Sequence, residues 1–188
     1  MRTIRITGTG SALPGRIVTN KELEQLVETS DEWIRERTGI AERHVSVGET
    51  VVTLASEAAR KALEQAGKRA EEIDLILVAT CSPEQYLPCC ACQVQAAVGA
   101  VNALAFDVNA ACSGFIYAAA AAHGLLSTLG GRYALVIGCE ALSRMVDPTD
   151  RTTCVLFGDG AGAAVFELAE NVPFAVTLGA RGSEAIRA

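Results

Sequence analysis

The chain has 188 residues, half of them hydrophobic, with few aromatics and a formal net charge of −6. That length fits one domain or part of a larger one, and the apolar content supports a substantial core. The negative charge argues against a nucleic-acid footprint, no run approaches a membrane span, and the N-terminus alternates like a strand without a signal-peptide core, so the expected location is cytoplasmic.

Ile4 to Gly8 reads as the first strand, ending in Gly8-Thr9-Gly10-Ser11. This Gly-x-Gly lacks the third glycine and the helix directly behind it that a nucleotide loop needs. Thr19 and Glu22 have capping-box spacing ahead of Leu23, Leu26 and Val27. Thr29 and Glu32 repeat the signature before Trp33 and Ile34, and Gly39 closes that short helix. Thr50 caps a longer helix whose apolar stripe is Val51, Leu54, Ala55, Ala58, Ala62, Leu63 and Ala66, with Gly67 at its end. Ile73 to Ala79 is nearly unbroken apolar sequence, the pattern of a strand buried on both faces of a parallel sheet.

Pro88 and Gly99 bracket a helix over 89–98 that holds Cys89-Cys90-Ala91-Cys92. Zinc at this C-x-x-C would need two further ligands, and the only histidines are His44 and His123, so these cysteines read as small buried side chains. The chain's seven cysteines, an odd number with no secretion signal, also argue against a disulfide framework. Ala103 to Val108, Phe115 to Leu129 and Tyr133 to Cys139 follow as strand, helix and strand. Thr153 to Phe157 and Ala161 to Leu168 read as a strand pair joined by Gly158-Asp159-Gly160. The alternation is βαβαβαββ, an α/β layout with a mostly parallel sheet.

Cys112, in Asn109-Ala110-Ala111-Cys112-Ser113-Gly114-Phe115, stands where the 103–108 strand turns into the following helix. A sulfur there meets the free N–H groups and positive dipole end of a helix, which favours thiolate and makes Cys112 a candidate nucleophile for an electrophilic carbonyl. The bland alternative is a small buried cysteine at a tight turn. The helix behind it has almost no polar face and calls for cover from two directions. His123, inside it, is expected as a hydrogen-bonded core histidine.

These runs, together with Thr29-Ser30-Asp31-Glu32-Trp33-Ile34, Arg37-Thr38-Gly39-Ile40, Ala91-Cys92-Gln93-Val94-Gln95, Asp147-Pro148-Thr149-Asp150-Arg151 and Phe157-Gly158-Asp159-Gly160-Ala161-Gly162-Ala163, resemble the β-ketoacyl-acyl carrier protein synthase III family of thiolase-superfamily condensing enzymes. The likeness runs from about Thr7 to Leu168. It implies an N-terminal thiolase-like half over 1–170, with a five-stranded sheet and a buried central Cys helix, and residues 171–188 as the start of a second half that is absent.

The resemblance further implies that Cys112 accepts an acyl group and that Trp33 and Arg151 sandwich the adenine of coenzyme A, with Thr29 and Arg37 nearby. An indole face and a guanidinium plane both stack on a purine. Leu142 and Phe157 would line the acyl channel, and Leu87 would reach across a homodimer interface. The partners implied are acyl-CoA, as substrate rather than cofactor, and malonyl-acyl carrier protein; no metal, nucleic acid or membrane is expected. The family's catalytic His and Asn would come from the second half. Thr152 stands where the family commonly has Gly. A specialised acyltransferase or polyketide-type priming enzyme, or a non-catalytic dimerising fragment, are the alternatives.

Overall fold

A computed structural model describes residues 2–182. Among these residues are seven strands: β1 (Arg2–Ala12), β2 (Arg16–Thr19), β3 (Glu42–Val45), β4 (Leu75–Ala79), β5 (Leu104–Val108), β6 (Tyr133–Ala141) and β7 (Asp159–Glu170). The helices are α1 (Asn20–Leu23), α2 (Asp31–Thr38), α3 (Val51–Ala66), α4 (Cys90–Val98), α5 (Gly114–Leu129) and α6 (Arg151–Cys154).

The main sheet has the order β1-β7-β6-β4-β5. β4 pairs in parallel with β5 and β6, while β7 is antiparallel to both β6 and β1. Four of its five strands therefore run one way, and the main-sheet order β1-α3-β4-α4-β5-α5-β6-β7 is the expected βαβαβαββ alternation. All of β4 is buried. Ile76 and Val78 face α3 and α4, in a core with Ala58, Ala62 and Val94. Leu75 and Leu77 face α5, in a core with Ala118, Ala122 and Leu126. This division follows from the two-residue period of a strand.

Thr50 caps α3 as expected, its hydroxyl accepting from Thr53 N, and Gly67 closes it in the left-handed region at φ 62°. The glycines at the end of the first strand have a packing role. A Cβ on Gly10 would stand 2.3 Å from the Ala58 carbonyl oxygen, and one on Gly8 2.5 Å from that of Ala62. They let β1 lie directly on the backbone of α3.

Four expectations need correction. Residues 153–157 are not a strand: Asp150 caps α6 by accepting from Thr152 N at 2.9 Å and from the Thr153 hydroxyl at 2.6 Å, so the chain turns before β7 begins. The cap of α2 is Ser30 rather than Thr29, with Ser30 Oγ accepting from Trp33 N at 3.1 Å. Of the three cysteines in the Cys89–Cys92 run only Cys90 is buried; Cys89 and Cys92 are half-buried and in contact. Finally, Ala111–Leu129 is long and apolar enough to span a membrane by length and composition.

In this fold α5 buries one face on the sheet and leaves Ile116 and Leu129 exposed, so its expected central burial is half met. The segment after β7 crosses part of it: the Tyr117 hydroxyl donates to the Gly179 carbonyl at 2.7 Å, and Phe174 packs edge-on against His123. His123 Nε2 lies 3.1 Å from the Arg2 carbonyl oxygen, within hydrogen-bond reach. The proposed start of a second half at 171–188 lies partly outside the described residues.

Candidate active site

β5 and α5 present Cys112. Between them Ala111–Ser113 forms a single 3-10 turn, with Ala111 at φ 45°. The left-handed region costs an alanine about 1–2 kcal/mol. Cys112 follows on this turn and is exposed, while the six other cysteines are half-buried or buried. Ser113 makes no side-chain cap to α5, so the first N–H groups of the helix have no side chain of Ser113 across them. Gly114 lets the first turn sit on β4: a Cβ there would be 3.0 Å from the Ala79 Cβ.

Cys112 opens onto a cleft of ≈ 310 Å³ lined by Ala79, Phe115, Gly138, Glu140, Gly158 and Gly160, among others. Glycines at three of these positions keep its walls low. Glu140 knits the cleft floor: it accepts from Cys81 N at 2.8 Å, from the Thr80 hydroxyl at 3.3 Å, and from the Ser82 hydroxyl. Sequence reasoning passed over Glu140. Its signal was a lone carboxylate in the otherwise apolar strand β6.

The surrounding thiols are held protonated. Burial, then the hydrogen bond to Glu140, pushes Cys81 up to about 11. Burial, then the Asp107 carboxylate, pushes Cys90 up to about 12. Burial also raises Cys139, reinforced by Cys90 and Glu140.

α2 and α6 bring the second group together. The Arg151 guanidinium carbon is 4.3 Å from the Trp33 ring centroid and that of Arg37 is 5.6 Å from it. Trp33 is half-buried, packed on Leu23, Ile34, Cys154 and Val155. A purine between the indole and the guanidinium needs about 7 Å, two stacking layers. Arg151 therefore occupies the place the base would take. Thr29, just before the α2 cap, buries its hydroxyl with no partner among the described residues.

Leu87 stands apart from the cleft, 86% exposed in the loop before α4. Leu142 is half-buried in the 3-10 turn Leu142–Arg144. Phe157 lines a separate apolar cavity of ≈ 170 Å³ with Leu23, Leu26, Val146 and Pro148, one residue from Gly158 of the Cys112 cleft. The residue that ties these parts is Asp159, another that sequence reasoning left unassigned. It is 6% exposed and accepts from Ser46 N at 2.7 Å, Ser143 N at 2.9 Å and the Ser143 hydroxyl at 2.6 Å. Burial alone would raise its pKa, but these hydrogen bonds outweigh it and hold the carboxyl below its ordinary value. Among the described residues no cluster of three or more His, Cys, Asp or Glu is placed to hold a metal.

A βαβαβαββ layer with a cysteine exposed at the start of α5 is the half-fold of the thiolase-like condensing enzymes. Within that class, a family model for 3-oxoacyl-[acyl-carrier-protein (ACP)] synthase III matches residues 106–182. Over that stretch the chain is similar to that family, and its likeness to individual members extends over most of its length. It is 54% identical over 171 residues to the β-ketoacyl-[acyl-carrier-protein] synthase III of Thioalkalivibrio sulfidiphilus, covering 90% of this chain and 53% of that relative. It is 57% identical over 166 residues to the protein of that name from Erythrobacter litoralis, covering 88% of this chain and 52% of the relative.

Among solved structures, 3-oxoacyl-[acyl-carrier-protein] synthase III from Aquifex aeolicus superposes with a TM-score of 0.86 at 48% identity, over 91% of this chain and 55% of that one. The priming β-ketosynthase of the R1128 polyketide pathway superposes with a TM-score of 0.87 at 39% identity, over 92% and 52%. The chain spans about half the length of the curated relatives it matches.

Proposed function

We propose that residues 1–170 are the acyl-accepting half of a β-ketoacyl-acyl carrier protein synthase III, and that the segment from 171 leads toward a second half. The observation that carries this reading is Cys112, exposed on a strained turn at an uncapped helix start and facing an open cleft. In this reading the Cys112 sulfur attacks the carbonyl carbon of acyl-CoA. The tetrahedral oxyanion collapses, coenzyme A leaves as the thiol, and the acyl group stays on Cys112 as a thioester. Malonyl-acyl carrier protein then loses carbon dioxide, and its carbanion attacks the thioester carbon to give the β-ketoacyl product and free Cys112.

Decarboxylation places charge on the enolate oxygen, which needs positioned donors. The reading assigns those donors, a His and an Asn, to the second half. Trp33, Arg151, Arg37 and Thr29 form the coenzyme A mouth; Leu142 and Phe157 border the acyl path; Leu87 meets a partner subunit in a homodimer. The chemistry calls for no resident cofactor, and a cytoplasmic location goes with it.

A polyketide-type priming role is the second reading, favoured by the likeness to the R1128 priming enzyme. Co-expression with a synthase III second half, followed by assay of carbon dioxide release from malonyl-acyl carrier protein with a panel of acyl-CoA primers, tests both. Turnover with acetyl-CoA that is lost in Cys112→Ala supports the first reading. Turnover only with longer or branched primers supports the second, and no Cys112-dependent turnover refutes both.

A further inference from the structure

Cys89 and Cys92 form a dithiol that the condensation does not use. Cys89 is the N-cap of α4 and Cys92 is its third residue, and their sulfurs are 3.4 Å apart. Both are half-buried, whereas Cys90 between them is buried at 1% exposure. The two thiols are ordered as a relay: Cys89 Sγ contacts Cys92 Sγ, and Cys92 Sγ reaches the Ala105 carbonyl at 3.7 Å. The contact with Cys89, then burial, raises the Cys92 thiol, and the N-cap position of Cys89 places it as the entry sulfur.

Side chains three residues apart on a helix have Cβ atoms about 5–6 Å apart, so a disulfide, with Cβ atoms about 3.5–4.5 Å apart, draws the two residues together by about 1–2 Å. Bringing the sulfurs from contact to a bond of about 2.05 Å needs a shift of about 1.4 Å, within reach of side-chain rotation. The backbone around them is held independently, with Asp107 accepting from Cys90 N at 2.8 Å and Ala91 N at 2.7 Å. Closure is therefore taken up at the N-cap residue Cys89, outside the hydrogen-bonded body of α4.

We propose that Cys89 and Cys92 are a thiol–disulfide exchange site that closes to an intramolecular disulfide on meeting a low-molecular-weight disulfide of the glutathione class. Cys89, its proton passed to solvent, attacks one sulfur of the small disulfide; a protein–S–S–R bond forms and one thiolate leaves. Cys92 then loses its proton and attacks the Cys89 sulfur, forming the Cys89–Cys92 bond and expelling the second thiolate. The protein dithiol is oxidised by two electrons, the small disulfide is reduced to two thiols, and the two protons travel with them. A C-x-x-C at a helix start favours this chemistry because one thiol resolves what the other captures.

The test uses the reduced protein with Cys112→Ser, which removes the exposed thiol from the count. It is incubated with oxidised glutathione, alkylated with N-ethylmaleimide in denaturant, digested and mapped by fragmentation. The expected product lacks two hydrogens and is unlabelled at Cys89 and Cys92, carries the label at Cys90, and reverts with dithiothreitol. In Cys92→Ser the glutathione adduct is trapped on Cys89. Phenylarsine oxide, which bridges paired thiols, should bind the parent and Cys90→Ser and fail to bind Cys89→Ser or Cys92→Ser. A glutathione adduct that persists on the parent, a bond to Cys90, or full alkylation of Cys89 and Cys92 after exposure would overturn the proposal. The parent measurement decides this even if a variant does not fold.

Discussion

Replacing Asp159 with Asn changes one atom's chemistry at the joint between the β2–β3 ribbon, the Leu142–Arg144 turn and β7. The native carboxylate takes three donors: Ser46 N and the Ser143 hydroxyl on Oδ2, and Ser143 N on Oδ1. An amide keeps one acceptor oxygen. If that oxygen stays on Ser143 N, the amide NH₂ faces the Ser46 N–H, two donors with no acceptor, while the Ser143 hydroxyl rotates to accept. The loss is one charge-assisted backbone hydrogen bond plus an unsatisfied donor, about 2–3 kcal/mol; Asp159→Ala, which loses all three, costs about 3–5 kcal/mol.

The pH dependence fixes the mechanism. The native carboxyl sits below its ordinary pKa, so its contribution is complete above the unfolded value near pH 4 and is lost as pH falls through the lower folded value. Urea unfolding of wild type and Asp159→Asn should therefore give a large stability gap at pH 7 that narrows as the buffer is taken below pH 4. A variant within about 0.5 kcal/mol of wild type at pH 7, or a gap that stays constant down the acid series, would refute the account of Asp159 as a charged clasp.

Three further outcomes follow from distances in the structure. Gly10→Ala should cost about 3 kcal/mol and lower Tm by roughly 6–12 °C, since its Cβ would meet Ala58 O at 2.3 Å; an unshifted thermal melt would show that β1 does not rest on α3. Arg151→Ala should weaken coenzyme A binding about fivefold, read from Trp33 fluorescence, because the free protein already stacks Arg151 on Trp33 at 4.3 Å and only the surplus contact is lost; unchanged affinity would take Arg151 out of the site. Limiting iodoacetamide at pH 8 should modify Cys112 ahead of Cys81 and Cys90, whose raised values leave about one thiolate in 10³ and one in 10⁴; faster labelling of either would contradict the desolvation that raises it.

The sequence announced what depends on local pattern. Thr50, the apolar stripe from Val51 to Ala66 and Gly67 specify α3 within its own length, and the residue following each turn of helix says which face is buried. Strands buried on both faces, such as Leu75–Ala79, are equally plain. What stayed hidden depends on partners distant in the chain. β2 pairs with β3 through Arg16↔Val45 and Thr19↔Glu42, across two intervening helices, and neither strand is long enough to declare itself. Thr153 to Phe157 has the β-branched and apolar content of a strand, but Asp150 captures the adjacent N–H and hydroxyl groups first.

At the site, the position of Cys112 was legible from the strand–turn–helix order around it. The strain at Ala111 was not, because an alanine carries no mark of a left-handed backbone. The clasps at Glu140 and Asp159 were hidden for a related reason: each is a single carboxylate whose meaning lies in donors between sixteen and 113 residues away in sequence. Trp33 and Arg151 were paired by resemblance. Their direct contact, with no gap for a base, is visible only in three dimensions.

The measurement closest to the central claim is the mass of the protein after brief exposure to acetyl-CoA, quenched in acid and mapped by peptide fragmentation. The account predicts one added acetyl group, carried on Cys112 as a thioester that hydroxylamine removes and that is absent in Cys112→Ser. An acetyl group on Cys89, Cys92 or a lysine, or an unmodified Cys112 in a folded protein whose Trp33 fluorescence still responds to coenzyme A, would contradict it.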